Sequence, residues 1–209
     1  MTLFFYFKEV AMSIVRVPYA ILAGLYLMVY GAWKVVCGES VHEILGYKDT
    51  LTKVFNRKAF FKHIKAFKGG GLIMLDIDKF KHYNDTYGHQ SGDKLLINVT
   101  EVVEKAIKGS GKLYRMGGDE FFVLCPGKQS DDIKYMAERI RESVGEHKQI
   151  SVSIGSLATP VVNHPFKRVK QYDTDMMMSQ VDKFMYQAKA NGRNVAYHGN
   201  FNVTAVERC

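Results

Sequence analysis

Cysteine is scarce, and what there is suits neither of its usual structural jobs. The 209 residues contain three, Cys37, Cys125 and Cys209, an odd and widely spaced set with no CxxC pair and no histidine at metal-ligand spacing. A disulfide framework and a thiolate metal site are excluded, which leaves reduced thiols of the cytosolic kind. There is also no internal repeat, no low-complexity tract and no leader with a small-residue cleavage site. The thumb, fingers and basic aromatic groove of a nucleic-acid polymerase are missing from so short a chain, and no nucleic-acid partner is expected.

What remains is ample for one packed domain and some excess, since 47% of the residues are hydrophobic. The formal charge of +8 suits an anionic ligand, an anionic membrane surface or a polyanion, and its sign alone does not choose.

Between Arg16 and Lys34 runs VPYAILAGLYLMVYGAW, seventeen residues without a charge. As a helix this stretch rises about 26 Å, the lower edge of a bilayer span. Pro18 suits a first helical turn, and Tyr19, Tyr30 and Trp33 lie where interfacial aromatics belong. Residues 1–37 are therefore expected to form an N-terminal hydrophobic helix, a single transmembrane anchor over about 16–36. A buried or dimer-forming helix is the alternative. No folded sensor is expected before it, and Lys34, Lys48, Lys53, Arg57 and Lys58 lead to the expectation that the rest of the chain lies on the cytoplasmic side.

After a connector over 38–48, LTKVFNRKAFFKHIKAF carries apolar residues at helical period, Phe55, Ala59, Phe60, Ile64 and Phe67, up to a GGG stop. LIMLDI, 72–77, reads as a central strand. A helix runs from Ser91 to Ala106, then come the hairpin KLYRM-GGDE-FFVLCP, a helix through Ile133 and Val144, and the strand QISVSIGSLA. A last helix through Val181 and Ala188, stopped by Gly192, leads to an edge strand NVAYH. The order β-α-β-β-α-β-α-β predicts an α+β sandwich, helices flanking a mostly antiparallel sheet. The tail 199–209 is expected to be flexible.

Three segments resist a purely structural account. LDIDKFKHYNDTYGHQSGD, 75–93, packs four aspartates, two lysines, two histidines and an asparagine beyond a buried strand end. Asp76 and Asp78 share one face there, because side chains alternate with period two. Taken singly, these could be strand-end caps, a helix N-terminal charge at Asp93, and a solvated face at Lys79 and Lys81. The second segment, GGDE, sets Asp119 and Glu120 side by side, and convergence with Asp76 would repel unless a cation lay between them. Oxygen donors without a thiolate suit Mg²⁺ or Mn²⁺, whose shells phosphate oxygens commonly complete, so a nucleoside triphosphate is indicated. The third, at the chain's last helix, is YQAKANGRN, 186–194.

These segments, with DTLTKVFNRKAF at 49–60 and RMGGDEF at 115–121, resemble the GGDEF family of diguanylate cyclases, and the likeness covers 49–198. It implies a palm-like, nucleotide-cyclase fold and the joining of two GTP into cyclic di-GMP, with loss of two pyrophosphates, between two face-to-face copies in a bacterium. It further implies two divalent ions per half-site, held by Asp76, the Ile77 carbonyl, Asp119 and Glu120, with Asp119 as the base for the attacking 3′-hydroxyl. Asn84 and Asp93 match guanine readers, His89 a substrate contact, Lys81 a group that neutralises phosphate charge, and Lys189 and Arg193 a phosphate-binding pair on one helix face. Gly117 and Gly118 would let the triphosphate approach the backbone.

An adenine nucleotide would leave the Asp93 charge unpaired, so GTP is favoured. The chain departs from the family pattern where RxxD is replaced by KGSG, 108–111, which implies little product feedback there. Lys53 also stands where glycine is usual. The alternative to a cyclase is a catalytically weak module that binds GTP or acts through protein contacts.

Overall fold

The computed structural model describes residues 46–146, 150–161 and 173–201. The chain divides into two units between Gly46 and Tyr47, and every described helix and strand belongs to the second. The uncharged run 17–33, with the expected anchor, lies outside the described residues. Among those described, no helix is long and apolar enough to cross a membrane.

A six-stranded sheet organises the unit. Its central strand, β2 (Gly70–Ile77), is buried at all eight positions, which is why its sequence is apolar without alternation. Around it the spatial order is β1 (Phe55–Asn56), β3 (Lys112–Gly117), β4 (Glu120–Pro126), β2, β5 (Val152–Thr159) and β6 (Ala196–Asn200). The three inner pairings are antiparallel and the two outer ones, β1 with β3 and β5 with β6, are parallel. The sheet is therefore mixed, antiparallel only in its interior.

Each face carries its own core. On one, Leu72, Met74, Phe122, Leu124 and Leu157 meet α1 (Arg57–Lys65) and α5 (Thr174–Ala190) through Phe60, Ile64, Met177, Val181 and Met185. On the other, Ile73, Leu75, Val123 and Ile154 meet α3 (His89–Ile107) and α4 (Ser130–Gly145) through Leu96, Val99, Val103, Ile133 and Ile140. A Cβ at Gly155 would collide with the Val181 carbonyl and the Met185 nitrogen, so this glycine is what lets α5 lie directly on β5.

The structure corrects several sequence expectations. Phe55 begins no helix: it is in β1, and Asn56 caps α1 by accepting from the Ala59 N–H at 3.0 Å. The GGG run starts a strand instead of stopping a helix, with Gly69 and Gly70 at φ 111° and 129° leading into β2. A short helix, α2 (Phe80–Tyr87), has no fully buried residue and so no apolar stripe by which to read it. The domain also extends past its expected limits. Tyr47 accepts from the Asn56 N–H, and β6 continues to Asn200, with Phe201 buried against the α1–α5 core.

Candidate active site

The register of the sheet builds the site. In the β2–β4 ladder Asp76 stands opposite Glu120, and partners opposed in an antiparallel pair project to the same face. That face is the one covered by α1 and α5, as the placement of Met74 and Phe122 in its core shows. Asp119, one residue earlier, sits in the hairpin tip, whose carbonyl accepts from the Ile77 N–H at 3.4 Å. The three acids predicted to converge thus lie at one end of the central strands.

A second charge is present there too. The Lys189 ammonium, in the last turn of α5, lies 2.9 Å from Asp76 Oδ2. Burial pushes the Asp76 carboxyl up to about 6; the Lys189 hydrogen bond opposes this, and the charges of Asp119 and Glu120 add to it. An additional cation at this point would relieve the repulsion, and the donors are all oxygens, so the chemistry of the set fits a hard divalent ion. The side chains are not already closed on a common centre: among the described residues no three His, Cys, Asp or Glu groups form a cluster able to hold a metal.

The hairpin tip is shaped for access. Gly118 and Asp119 form its two-residue loop, and Gly117 and Gly118 take φ 152° and 53°. Among the described residues, the immediate chain neighbours apart, nothing lies within 4 Å of where a Cβ would stand on either glycine, so the backbone is open on that side. A brace on the other side was not assigned from the sequence. Arg115 Nε and Nη2 both donate to the Gly118 carbonyl, at 3.0 and 2.8 Å, while Nη1 reaches Asp49 Oδ1 at 3.1 Å. Burial raises the Asp49 pKa, but hydrogen bonds from the Thr52 hydroxyl and N–H and from Arg115 outweigh it and hold the carboxyl below its ordinary range. The only sequence signal was position, since Arg115 and Asp49 belong to the two flanking motifs.

The expected guanine readers Asn84 and Asp93, with the substrate contact His89 and the phosphate neutraliser Lys81, occupy the neighbouring helices. Lys81 and Asn84 are on α2, and His89 and Asp93 begin α3, with Lys81, His89 and Asp93 exposed. Among the described residues Asn84 Oδ1 is buried without a hydrogen-bond partner, and a Cβ on Gly92 would collide with it, so Gly92 is what admits Asn84 between the helices. The expected phosphate pair is not on one helix face. α5 ends at Ala190, and Arg193 lies beyond it in a turn with φ 65°, its N–H donating to the Ala188 carbonyl. Lys189 is drawn to Asp76 by the acids around it.

Asp78 does not join the acids. Its carboxylate accepts from the hydroxyls of Ser151 and Ser153, both at 2.6 Å, and from the Asn194 N–H at 3.1 Å. Lys53, the departure in the first motif, has φ 63°, the left-handed conformation that glycine adopts most cheaply.

An acid-rich strand pair at the end of a mixed sheet with helices on both faces defines a GGDEF-like α/β domain. Residues 47–195 match the family described as diguanylate cyclase, GGDEF domain, and the chain belongs to it. Among relatives, the probable diguanylate cyclase DgcI of Escherichia coli K12 is 37% identical over 154 residues, 70% of this chain and 32% of that protein. The probable diguanylate cyclase DgcT of the same organism is 29% identical over 190 residues, 83% of this chain and 40% of that one. The chain thus spans well under half the length of these relatives. Among solved structures, the GGDEF domain of DgcB from Caulobacter crescentus, in complex with c-di-GMP, is 27% identical with a TM-score of 0.63, covering 73% of this chain and 93% of that one. The diguanylate cyclase SiaD from Pseudomonas aeruginosa, solved with its activator SiaC, shares the fold with a TM-score of 0.67 at 22% identity, covering 95% of this chain and 76% of that chain.

Proposed function

We propose that this chain is a diguanylate cyclase that condenses two GTP into cyclic di-GMP and releases two pyrophosphates. The observation that carries the reading is the Asp76–Glu120 register with Asp119 beside it, which gathers three acids and Lys189 where a nucleotide's phosphates could meet an open glycine hairpin. In this reading Asp76, the Ile77 carbonyl, Asp119 and Glu120 hold Mg²⁺ or Mn²⁺, two ions per half-site. When bound, the ions neutralise phosphate charge. Asp119 takes the proton from the 3′-hydroxyl, Lys81, Lys189 and Arg193 bind phosphate oxygens, Asn84 and Asp93 read the guanine, and His89 contacts the substrate.

One copy carries one half of the reaction, so a homodimer is part of the proposal: each 3′-hydroxyl attacks the α-phosphate held by the other copy. We place the segment 16–36 in the bacterial inner membrane with the catalytic unit in the cytoplasm, on the strength of its uncharged length and the cations after it.

The test is product chromatography after incubating the purified chain with GTP, ATP or both and Mg²⁺. Cyclic di-GMP from GTP alone is expected, with loss of about three orders of magnitude in Asp119→Asn. An adenine product, or an undiminished yield from the variant, would overturn the assignment.

A further inference from the structure

Arg193 is held in a conformation that needs a holder. Gly192, Arg193 and Asn194 take φ of 97°, 65° and 51° in succession, a left-handed conformation that crowds the Cβ of any residue but glycine. Such a turn persists only where the surroundings over-determine it. Two bonds do so on the backbone: the Arg193 N–H donates to the Ala188 carbonyl at 3.1 Å, and the Asn194 N–H donates to Asp78 Oδ2 at the same distance.

Asp78 is itself fixed from elsewhere. Ser153 donates to its Oδ1 and Ser151 to its Oδ2, and its own N–H donates to the Ser151 carbonyl at 2.9 Å. It is buried, and the turn it grips lies at the edge of a cleft of about 600 Å³ whose lining includes Asp78, Lys79, His82, Arg193 and Asn194. Strand alternation set Asp78 beside Asp76 as one of a pair of acids, yet among the described residues its donors are two hydroxyls and a backbone amide.

We propose that Asp78 is a positioning residue: it touches no substrate, and it sets the affinity for the triphosphate by locking the 192–194 turn from which Arg193 projects. This rests on the reading of Arg193 as a phosphate contact. Asp78→Ala should let the turn relax to ordinary backbone and swing Arg193 away, while Asp78→Asn keeps an acceptor for the Asn194 N–H.

Binding of inorganic triphosphate and of a non-hydrolysable GTP analogue to the full chain, by calorimetry, tests the proposal as a double-mutant cycle with Arg193→Met. Arg193→Met alone should weaken binding about tenfold, Asp78→Ala should weaken it about as much, and the double variant no more than either; Asp78→Asn should stay within about threefold of wild type. Cyclase assays should show the Asp78→Ala loss in KM, with kcat within about twofold. Additive losses, or tight binding by Asp78→Ala, overturn the positioning role. An Arg193→Met that binds as wild type overturns the phosphate assignment instead. Should Asp78→Ala not fold, Ser151→Ala in the same cycle decides: a loss of about threefold that vanishes beside Arg193→Met supports the lock, and additivity defeats it.

Discussion

Asp76 and Asp78 lie two residues apart at one strand end, are 7% and 8% exposed, and meet opposite electrostatic surroundings. Asp78 accepts hydrogen bonds from two hydroxyls and a backbone N–H. Asp76 has one ammonium and two further acids, and burial drives its carboxyl up to about 6. A saturated acid is a structural joint, whereas an acid left in conflict with its neighbours is a site that a ligand can relieve. The same residue type on the same face therefore serves architecture in one place and chemistry in the other.

The sharpest way to break this contrast is at Asp76. Asp76→Asn should lower cyclase activity by about a thousandfold or more and yet leave the protein at least as stable at pH 7. The sign comes from the protons: between pH 3.8 and about 6 the folded protein holds a proton on Asp76 that the unfolded chain has released. Stability therefore falls as pH rises through that window, by about 2 kcal/mol from this group once solvent screening is allowed for, and stays low above it. Asp76→Asn removes that slope. Denaturant titrations of both proteins at pH 4, 5, 6 and 7 check it, and parallel curves would defeat the claim that Asp76 is destabilised by its surroundings.

Asp78 should behave in the reverse way, with an effect nearly as large. Asp78→Ala leaves a backbone N–H and two hydroxyls without their acceptor and should destabilise by about 2–4 kcal/mol at pH 7. Urea unfolding measures it, and a loss below about 0.5 kcal/mol would mean the joint is not structural.

The amino-acid pattern revealed these two roles unequally. Alternation put both acids on one face, and the family likeness assigned a role to Asp76 alone. Nothing local distinguishes them, because what separates Asp76 from Asp78 comes from residues far along the chain: Glu120 and Lys189 for one, Ser151, Ser153 and Asn194 for the other. The continuous apolar run of β2 and the helical stripes of α3 and α4 were legible for the same reason that they are buried. α2 was not, since an eight-residue helix with no buried position leaves no hydrophobic signature. Spacing also suggested that Lys189 and Arg193 share a helix, because a pattern of four cannot show that the helix stops between them at Ala190.

A smaller effect should appear at the hairpin tip, where the contrast is between a braced backbone and an open one. Arg115 directs two parallel N–H groups at the Gly118 carbonyl and a third at Asp49, which no ammonium can reproduce. Arg115→Lys keeps the charge and one contact. It should cost about 1 kcal/mol of stability, because this ion pair is partly screened and only the hydrogen-bond geometry is lost. With that brace weakened the tip would be held mainly by the Ile77 N–H bond to the Asp119 carbonyl, and activity should fall about tenfold through misplacement of Asp119. Hydrogen exchange at 117–120 should rise in step with that loss. Unchanged exchange with reduced activity would move Arg115 from supporting the site to acting within it.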